Sequence, residues 1–318
     1  MANVNMRVNI AGINLKNPVM AASGTFGYAE EYEKFFDLNA LGAIVTKTIT
    51  LQPREGNAPL RIVETPSGML NTIGLQNPGL DDFIKLKLPY FKRLKTPLIV
   101  SIAGTSADEF VRLAQNLSRE KIIKGLELNI SCPNIKYDAK AKTEDDKFTN
   151  AQHRMFCQSA EETFELVKSV RRSTALPLVV KLSPNVTDIT EIALAAEKGG
   201  ADALSLVNTF YGMAVDIETQ KPKLSTISGG LSGPAIKPTA LYMVYRVAQC
   251  VKIPVIGIGG IMKADDAVEF LLCGAKAVQV GTANFANPKA CIEIIGGIEK
   301  YLSRKRIKNV NNLKMAGS

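Results

Sequence analysis

The 318-residue sequence contains no tryptophan, a single histidine and only five cysteines. The cysteines are odd in number and widely spaced, and no two of them form a Cys-x-x-Cys pair. The pattern therefore argues against a disulfide framework, a zinc site or an iron–sulfur cluster within this chain. No apolar run approaches the roughly 20 residues that a membrane span requires, and no apolar signal core follows the first residues. We expect a cytoplasmic protein without a metal of its own.

Acidic residues are fewer than basic ones, which leaves a formal net charge of +9. Several of the positive charges fall in the run from Ser303 to Lys308, which opens a basic C-terminal tail over 303–318. The aromatic residues are spread along the chain instead of alternating with lysine and arginine, so no stacking platform for nucleic-acid bases is indicated. We interpret the basic run as a solvated end, and acidic small molecules remain compatible with the overall charge.

Eight short apolar runs recur along the chain with helical patterns between them, which is typical of β/α units and a parallel sheet. The chain length favours a closed barrel over an open doubly wound sheet. We predict an α/β fold with one TIM-barrel domain over 1–318, and an N-terminal β-hairpin over 4–15 that closes the barrel floor. The predicted strands cover residues 19–22, 43–48, 97–104, 125–132, 178–183, 203–209, 254–260 and 277–282.

Two connections, 49–77 and 210–234, are much longer than the others. Because long loops in a compact domain are usually functional, we predict that both are active-site loops. A third segment, from Lys136 to Asn150, is rich in lysine, aspartate and glutamate. Such a composition does not pack a core. We expect a mobile lid over about 135–158.

Polar residues and glycines follow nearly every predicted strand. In a TIM barrel the C-terminal ends of the strands meet at one face, where the active site is assembled. Singly, each residue has an ordinary structural explanation, such as a helix cap or a turn, but together they predict one site. Its members are Ser23, Lys47, Thr48, Ser101, Asn129, Cys132, Lys181, Asn208, Thr209, Gly259, Gly260, Gly281 and Thr282.

The glycines after the seventh and eighth strands suit a phosphate group, because backbone N–H groups and helix N-termini can approach it closely. The segment from Gly257 to Met262 lacks the third glycine of a dinucleotide fingerprint, and no Walker-type motif occurs. A phosphorylated cofactor on the barrel is therefore favoured over a Rossmann-bound nicotinamide. Lys47 and Lys181 would face an anionic group, such as a carboxylate or the N1/O2 edge of a flavin.

The remaining polar groups predict a planar ligand and an acid–base residue. Asn71, Asn129 and Asn208 offer paired donors and acceptors that match the edge of a cyclic imide or amide. Cys132 stands between a polar strand tip and a proline, and its thiolate could serve as a general base or as a nucleophile.

These residues occur in motifs that resemble the class 1 dihydroorotate dehydrogenases, most closely the class 1B catalytic subunit. The resemblance covers nearly the whole chain. It is carried by Lys47-Thr48, Gly56-Asn57-Ala58-Pro59, the segment 71–79, Asn129-Ile130-Ser131-Cys132-Pro133-Asn134, the segment 180–185, Val207-Asn208-Thr209, Gly230-Leu231-Ser232-Gly233 and the two glycine-containing strand ends.

The resemblance implies oxidation of dihydroorotate to orotate in pyrimidine biosynthesis, with Cys132 as the base that removes the C5 proton while hydride passes from C6 to FMN. The implied FMN contacts are Ser23, Lys47, Thr48, Ser101, Asn129, Lys181, Val207, Gly233, Gly259, Gly260, Gly281 and Thr282. The implied substrate contacts are Lys47, Asn71, Thr72, Ile73, Gly74, Leu75, Asn129, Asn208 and Thr209.

The resemblance to class 1B enzymes also implies that electrons pass to NAD through a partner subunit, which holds FAD and a [2Fe-2S] cluster. The implied assembly is a heterotetramer built on a homodimer of catalytic subunits. This agrees with the absence of cluster ligands from the sequence. The chain departs from the family in having Ser101 where asparagine is usual and a longer segment after Asn134. A fumarate-dependent class 1A-like enzyme, a related pyrimidine-reducing flavoprotein and, more remotely, a tRNA-dihydrouridine synthase are the alternative predictions.

Overall fold

The computed structural model describes residues 4–131 and 156–315. Its core is a closed barrel in which the first and last barrel strands pair with each other. The strands are, in chain order, β1 (Val8–Ile10), β2 (Ile13–Leu15), β3 (Val19–Ala21), β4 (Ala43–Val45), β5 (Ile62–Thr65), β6 (Gly68–Asn71), β7 (Leu98–Ile102), β8 (Ile123–Asn129), β9 (Leu178–Lys181), β10 (Ala203–Leu206), β11 (Phe210–Gly212), β12 (Val215–Asp216), β13 (Lys221–Pro222), β14 (Gly229–Ser232), β15 (Val255–Ile258) and β16 (Ala277–Val280).

The barrel consists of β3, β4, β7, β8, β9, β10, β15 and β16, in that order around the circumference, and β16 closes against β3 with Val278 opposite Val19. All neighbouring pairs are parallel. The barrel strands are buried along nearly their whole length, which explains why they read as continuous apolar runs in the sequence. The predicted TIM barrel is confirmed.

Helices on the outside of the barrel connect most of these strands. Polar side chains cap several of them: the Ser106 hydroxyl accepts from the Glu109 N–H, and Ser159 and Asp188 act in the same way on their own helices. The α-helices are α1 (Gly79–Asp82), α2 (Leu88–Phe91), α3 (Ala107–Leu117), α4 (Ala160–Arg171), α5 (Ile189–Gly199), α6 (Lys237–Cys250), α7 (Ala264–Leu272), α8 (Ala283–Ala286) and α9 (Ala290–Arg304).

The first connection departs from the prediction of a helix after every strand. Between β3 and β4 the chain forms only two short 3-10 turns, Glu30–Tyr32 and Leu38–Ala40. Aromatic packing stabilises this connection instead, since the rings of Phe26 and Tyr32 stack 3.9 Å apart.

The two long connections were predicted to be loops, and this prediction is wrong for much of their length. Strands β5, β6, β11 and β14 form a four-stranded antiparallel sheet, and β12 pairs with β13. Asn71 lies opposite Gly230 in this sheet, so the two connections are joined to each other. Backbone pairing satisfies their N–H and C=O groups, which a bare loop would have left to water.

The hairpin β1–β2 covers the opposite end of the barrel, as predicted. Ile10 and Leu15 are buried, and the Ile13 side chain reaches the start of β8, where a Cβ on Gly125 would lie 2.9 Å from its Cδ1. The basic run after Ser303 is exposed, but beyond it Val310 is buried. The far end of the described chain is therefore anchored by packing.

In the described ranges, 4–131 and 156–315, no helix has the length and apolar character needed to cross a membrane.

Candidate active site

A cavity of about 400 Å³ opens at the C-terminal end of the barrel strands, between the strand tips and the inserted antiparallel sheet. Most of the residues predicted from the sequence meet there. The predicted residues that line it are Ser23, Lys47, Thr48, Asn71, Ile73, Gly74, Leu75, Asn129, Lys181, Val207, Asn208, Thr209, Gly233, Gly259, Gly260, Gly281 and Thr282.

Two of the predicted residues that the structure describes are not part of this wall. Ser101 is fully buried behind it, and Thr72 is buried with its hydroxyl oxygen close to Asn57 and Thr226. Cys132 lies outside the described residues, as does most of the predicted lid; residues 156–158 of that lid form a 3-10 turn. Cys132 follows directly on Ser131, the last described residue of its segment.

A chain of hydroxyl groups links the tips of neighbouring strands. Thr48 Oγ1 lies 3.1 Å from Ser23 Oγ and 2.9 Å from Ser101 Oγ. Asn129 Nδ2 also donates to Thr48 Oγ1, at 3.2 Å. Ser101 therefore holds Thr48 from behind, and Thr48 joins four strand ends into one rigid wall.

A second network, built on side-chain amides, holds residues 129–131, which precede Cys132 in the chain. Asn208 Nδ2 lies 2.9 Å from Ser131 Oγ, 3.1 Å from the Ser131 carbonyl oxygen and 3.3 Å from Asn129 Oδ1. Asn208 Oδ1 in turn accepts from the Thr209 N–H at 2.8 Å. Because Ser131 and Asn129 are buried, these bonds fix the exit of β8.

Glycines bring three backbone segments together at the far side of the cavity. Gly233 and Gly260 both have positive φ, of 95° and 70°. A Cβ on Gly260 would lie 2.9 Å from the Gly233 carbonyl oxygen and 2.9 Å from the Lys237 nitrogen, so no side chain fits. Nearby, Thr282 Oγ1 donates to Ser232 Oγ at 2.9 Å. The loops after β14, β15 and β16 thus form one small polar cradle.

A partly buried ion pair that the sequence did not indicate secures this cradle. Asp266, only 5% exposed, accepts from the Met262 and Lys263 N–H groups at 2.9 and 3.0 Å and from Lys237 Nζ at 2.7 Å. Burial raises the pKa of Asp266, but the hydrogen bonds from Lys237 and the two N–H groups outweigh it and lower the pKa. The pair ties the loop after β15 to the start of α6.

A second buried carboxylate lies deeper in the barrel. Glu127 on β8 is fully buried, and its Oε2 accepts from Ser205 Oγ at 3.1 Å and Gln279 Nε2 at 2.8 Å. Its Oε1 lies 3.9 Å from the Nζ of Lys181, which is 6% exposed and lines the cavity. A charged residue within a strand buried on both faces is a signal that the sequence analysis did not use.

One side of the cavity is apolar, and the sequence analysis missed it too. Ile62, Met69, Met262 and Phe285 contribute to the wall. They come from the inserted sheet, from the loop after β15 and from the short helix α8 after β16. The cavity therefore combines a polar cradle, two lysines and an apolar face, as a site for an extended, partly aromatic ligand with an anionic end would require.

Comparison with known proteins decides the family. The family model described as dihydroorotate dehydrogenase matches residues 5–302. The chain belongs to the dihydroorotate dehydrogenase family. The resemblance predicted from the sequence motifs is thereby confirmed.

Relatives within the dihydroorotate dehydrogenase family are similar to this chain over almost their whole length. A protein of Geotalea daltonii is 51% identical over 313 residues, which cover 98% of each chain. One of Desulforamulus reducens is 53% identical over 310 residues, which cover 98% of this chain and 97% of the relative. One of Geobacter metallireducens is 49% identical over 313 residues, which cover 98% of each chain. All three are named dihydroorotate dehydrogenase B (NAD(+)), catalytic subunit.

Proposed function

We propose that this protein is the catalytic subunit of an NAD-linked dihydroorotate dehydrogenase, which oxidises dihydroorotate to orotate in pyrimidine biosynthesis. Family membership and the names of its relatives support the reaction and the acceptor. The observation that carries the proposal is that seven of the eight barrel strands deliver predicted contact residues to one cavity.

The cofactor of this proposal is FMN, and the cavity wall fits it in three parts. The glycine cradle around Gly260 suits a phosphate, because its close backbone contacts leave no room for a side chain. Lys181 and Lys47 suit the pyrimidine edge of the flavin ring, where negative charge gathers on reduction. The apolar face with Met262 suits the hydrocarbon edge of the ring. When bound, FMN supplies the acceptor for the hydride that leaves C6 of the substrate.

The substrate is proposed to lie against the amide side of the cavity. Asn71, Asn129 and Asn208 line it with Thr209, and their donors and acceptors match the ring amides of dihydroorotate. Lys47 would face the substrate carboxylate. Thr72 supports this wall from behind, because its hydroxyl contacts Asn57 and Thr226 instead of the cavity.

Cys132 is proposed to be the general base that takes the C5 proton. Ser131, the residue before it, is hydrogen-bonded to Asn208 through both its carbonyl and its hydroxyl group. The backbone that leads into Cys132 is therefore held in place. A base needs such placement, since proton transfer requires the reacting atoms within hydrogen-bond reach. Orotate then leaves with a C5–C6 double bond, and the proton remains on the thiol.

The proposal includes a separate electron-transfer subunit. The relatives are named as catalytic subunits, which supports a partner for this chain as well. That partner would carry FAD and a [2Fe-2S] cluster, in a heterotetramer around a homodimer of this chain.

The proposal is tested by purifying the chain, saturating it with FMN and measuring orotate formation with fumarate and with NAD, the latter in the presence and absence of the partner subunit. We expect NAD reduction only when a co-expressed iron–sulfur flavoprotein subunit is present, and little turnover with fumarate. Turnover with fumarate alone would replace this proposal by the class 1A-like alternative. Salt-sensitive tRNA binding without dihydroorotate oxidation would favour a tRNA-modifying enzyme instead.

A further inference from the structure

The carboxylate of Glu127 has no role in the proposed chemistry, yet it lies fully buried inside the barrel. Placing an ionised group there is costly unless a countercharge and hydrogen bonds compensate. Ser205 and Gln279 donate to its Oε2. Within the described part of the chain its Oε1 has no hydrogen-bond partner, and this is the atom that lies 3.9 Å from Lys181 Nζ.

The positions on the strands explain why these two charges meet. Asn129 lies opposite Lys181 in the register of β8 and β9, and Glu127 is two residues before Asn129 on the same face of β8. Glu127 is therefore one layer deeper in the barrel than the cavity wall, directly beneath the layer that carries Lys181. Ser205 and Gln279 come from the sixth and eighth barrel strands, so three alternate strands build a polar layer where a TIM barrel usually has an apolar one.

We infer that Glu127 is a positioning residue that holds Lys181 at the cavity and partly cancels its charge, and thereby sets the reduction potential of the bound flavin. The inference rests on the proposed function for the presence of FMN. Two-electron reduction adds negative charge to the flavin ring, so an uncompensated Lys181 would favour reduced flavin strongly. The carboxylate beneath it weakens that preference, and the flavin can pass its electrons on to the next acceptor.

The test is the midpoint potential of FMN in the purified, FMN-saturated chain, measured by equilibration with a reference redox dye. In Glu127→Gln the amide oxygen can still accept from Ser205 and Gln279, while the negative charge is lost. We expect the equilibrium to shift at least tenfold toward reduced flavin, which is about 30 mV for a two-electron couple. The double variant Glu127→Gln/Lys181→Met removes both charges, so its shift should be toward oxidised flavin relative to the unsubstituted chain.

The double variant also guards against misfolding, because removal of both partners of a buried ion pair is usually tolerated better than removal of one. The matched control is Asp202→Asn, which breaks the pair with Arg171 just before β10, at the other end of the barrel. Its potential should not change. A shift below twofold in Glu127→Gln, or the reverse order of the two variants, would overturn the inference.

The dye measurement needs bound flavin but not dihydroorotate. A chain that shows the expected order of potentials but is not reduced by dihydroorotate would therefore leave this inference standing and refute the proposed function. A chain that binds no FMN would refute both.

Discussion

The ion pair beneath the glycine cradle leads to a quantitative prediction for Asp266→Asn. Asparagine can still accept the two backbone N–H bonds through its side-chain oxygen, but it loses the charge-assisted bond to Lys237 Nζ at 2.7 Å. Hydrogen bonds to charged groups contribute about 1.5–3 kcal/mol. Lys237 keeps its second partner, Glu269, at 2.9 Å, so no cation is left unpaired. We expect a loss of about 2 kcal/mol in the free energy of unfolding.

This loss converts into a measurable change of melting temperature. With an unfolding entropy of about 2.1 cal/mol/K per residue, a chain of 318 residues loses about 3 °C of Tm for 2 kcal/mol. Differential scanning calorimetry of the FMN-free chain measures this directly. The loop that Asp266 secures also forms the cradle, so FMN affinity, followed by flavin fluorescence, should fall about tenfold.

The effect has a defined pH dependence. The pKa of Asp266 is lower in the folded chain than in the unfolded one, so its stabilising contribution is complete above the unfolded pKa, near 4. It disappears as the pH falls through the folded pKa. The difference in Tm between the unsubstituted chain and Asp266→Asn should therefore persist from pH 7 down to about pH 4 and shrink below it.

The neighbouring residue on α7 provides the control. Asp265 pairs with Lys263 at 3.5 Å, but both side chains are about 70% exposed. Exposed pairs contribute about 0–1 kcal/mol, so Asp265→Asn should lower Tm by less than about 1.5 °C. Equal losses for the two variants, or a loss for Asp266→Asn that is undiminished at pH 3, would refute the reasoning.

Three further predictions concern the candidate active site and the residue that follows Ser131. Cys132→Ala should bind FMN normally but slow flavin reduction by dihydroorotate by a factor of about 10² or more in stopped-flow experiments, the usual scale of general-base catalysis; an unchanged rate would exclude Cys132 as the base. Asn208→Ala leaves the buried Ser131 carbonyl without its donor, so we expect a loss of about 1–3 kcal/mol in urea unfolding together with slower flavin reduction. Gly260→Ala should weaken FMN binding at least tenfold by equilibrium dialysis, because its Cβ would meet backbone atoms at 2.9 Å; Gly296→Ala, where a Cβ meets nothing within 4 Å, should not.

The barrel could be predicted from the sequence because its signal is local. Strands such as β9 and β16 are buried at every position, and burial on both faces makes each of them a short apolar run with polar residues at its tip. The same rule predicted most of the cavity wall, since the tips of parallel strands meet at one end of the barrel.

The inserted sheet could not be predicted in this way. Strand β14 reads Gly-Gly-Leu-Ser, which has little intrinsic preference for a strand, and its pairing with β6 joins residues far apart in the chain. The apolar face of the cavity was missed for the same reason, because Ile62 and Met69 reach it only through that sheet.

The two buried carboxylates were missed for different reasons. Asp266 looks like an ordinary acidic residue in the first turn of a helix, and only the fold brings Lys237 to it. Glu127 could have been noticed, since a charge in a fully buried strand needs a partner. Cys132 lies outside the described residues, so its role as the base stays a prediction.

The central claim is that dihydroorotate delivers its electrons to a flavin in this cavity. The most direct measurement is anaerobic titration of the FMN-saturated chain, without any partner subunit, with dihydroorotate while the flavin absorbance near 450 nm is followed. The account predicts that the yellow colour bleaches and that one orotate forms per flavin. Full oxidised absorbance at saturating dihydroorotate would contradict it.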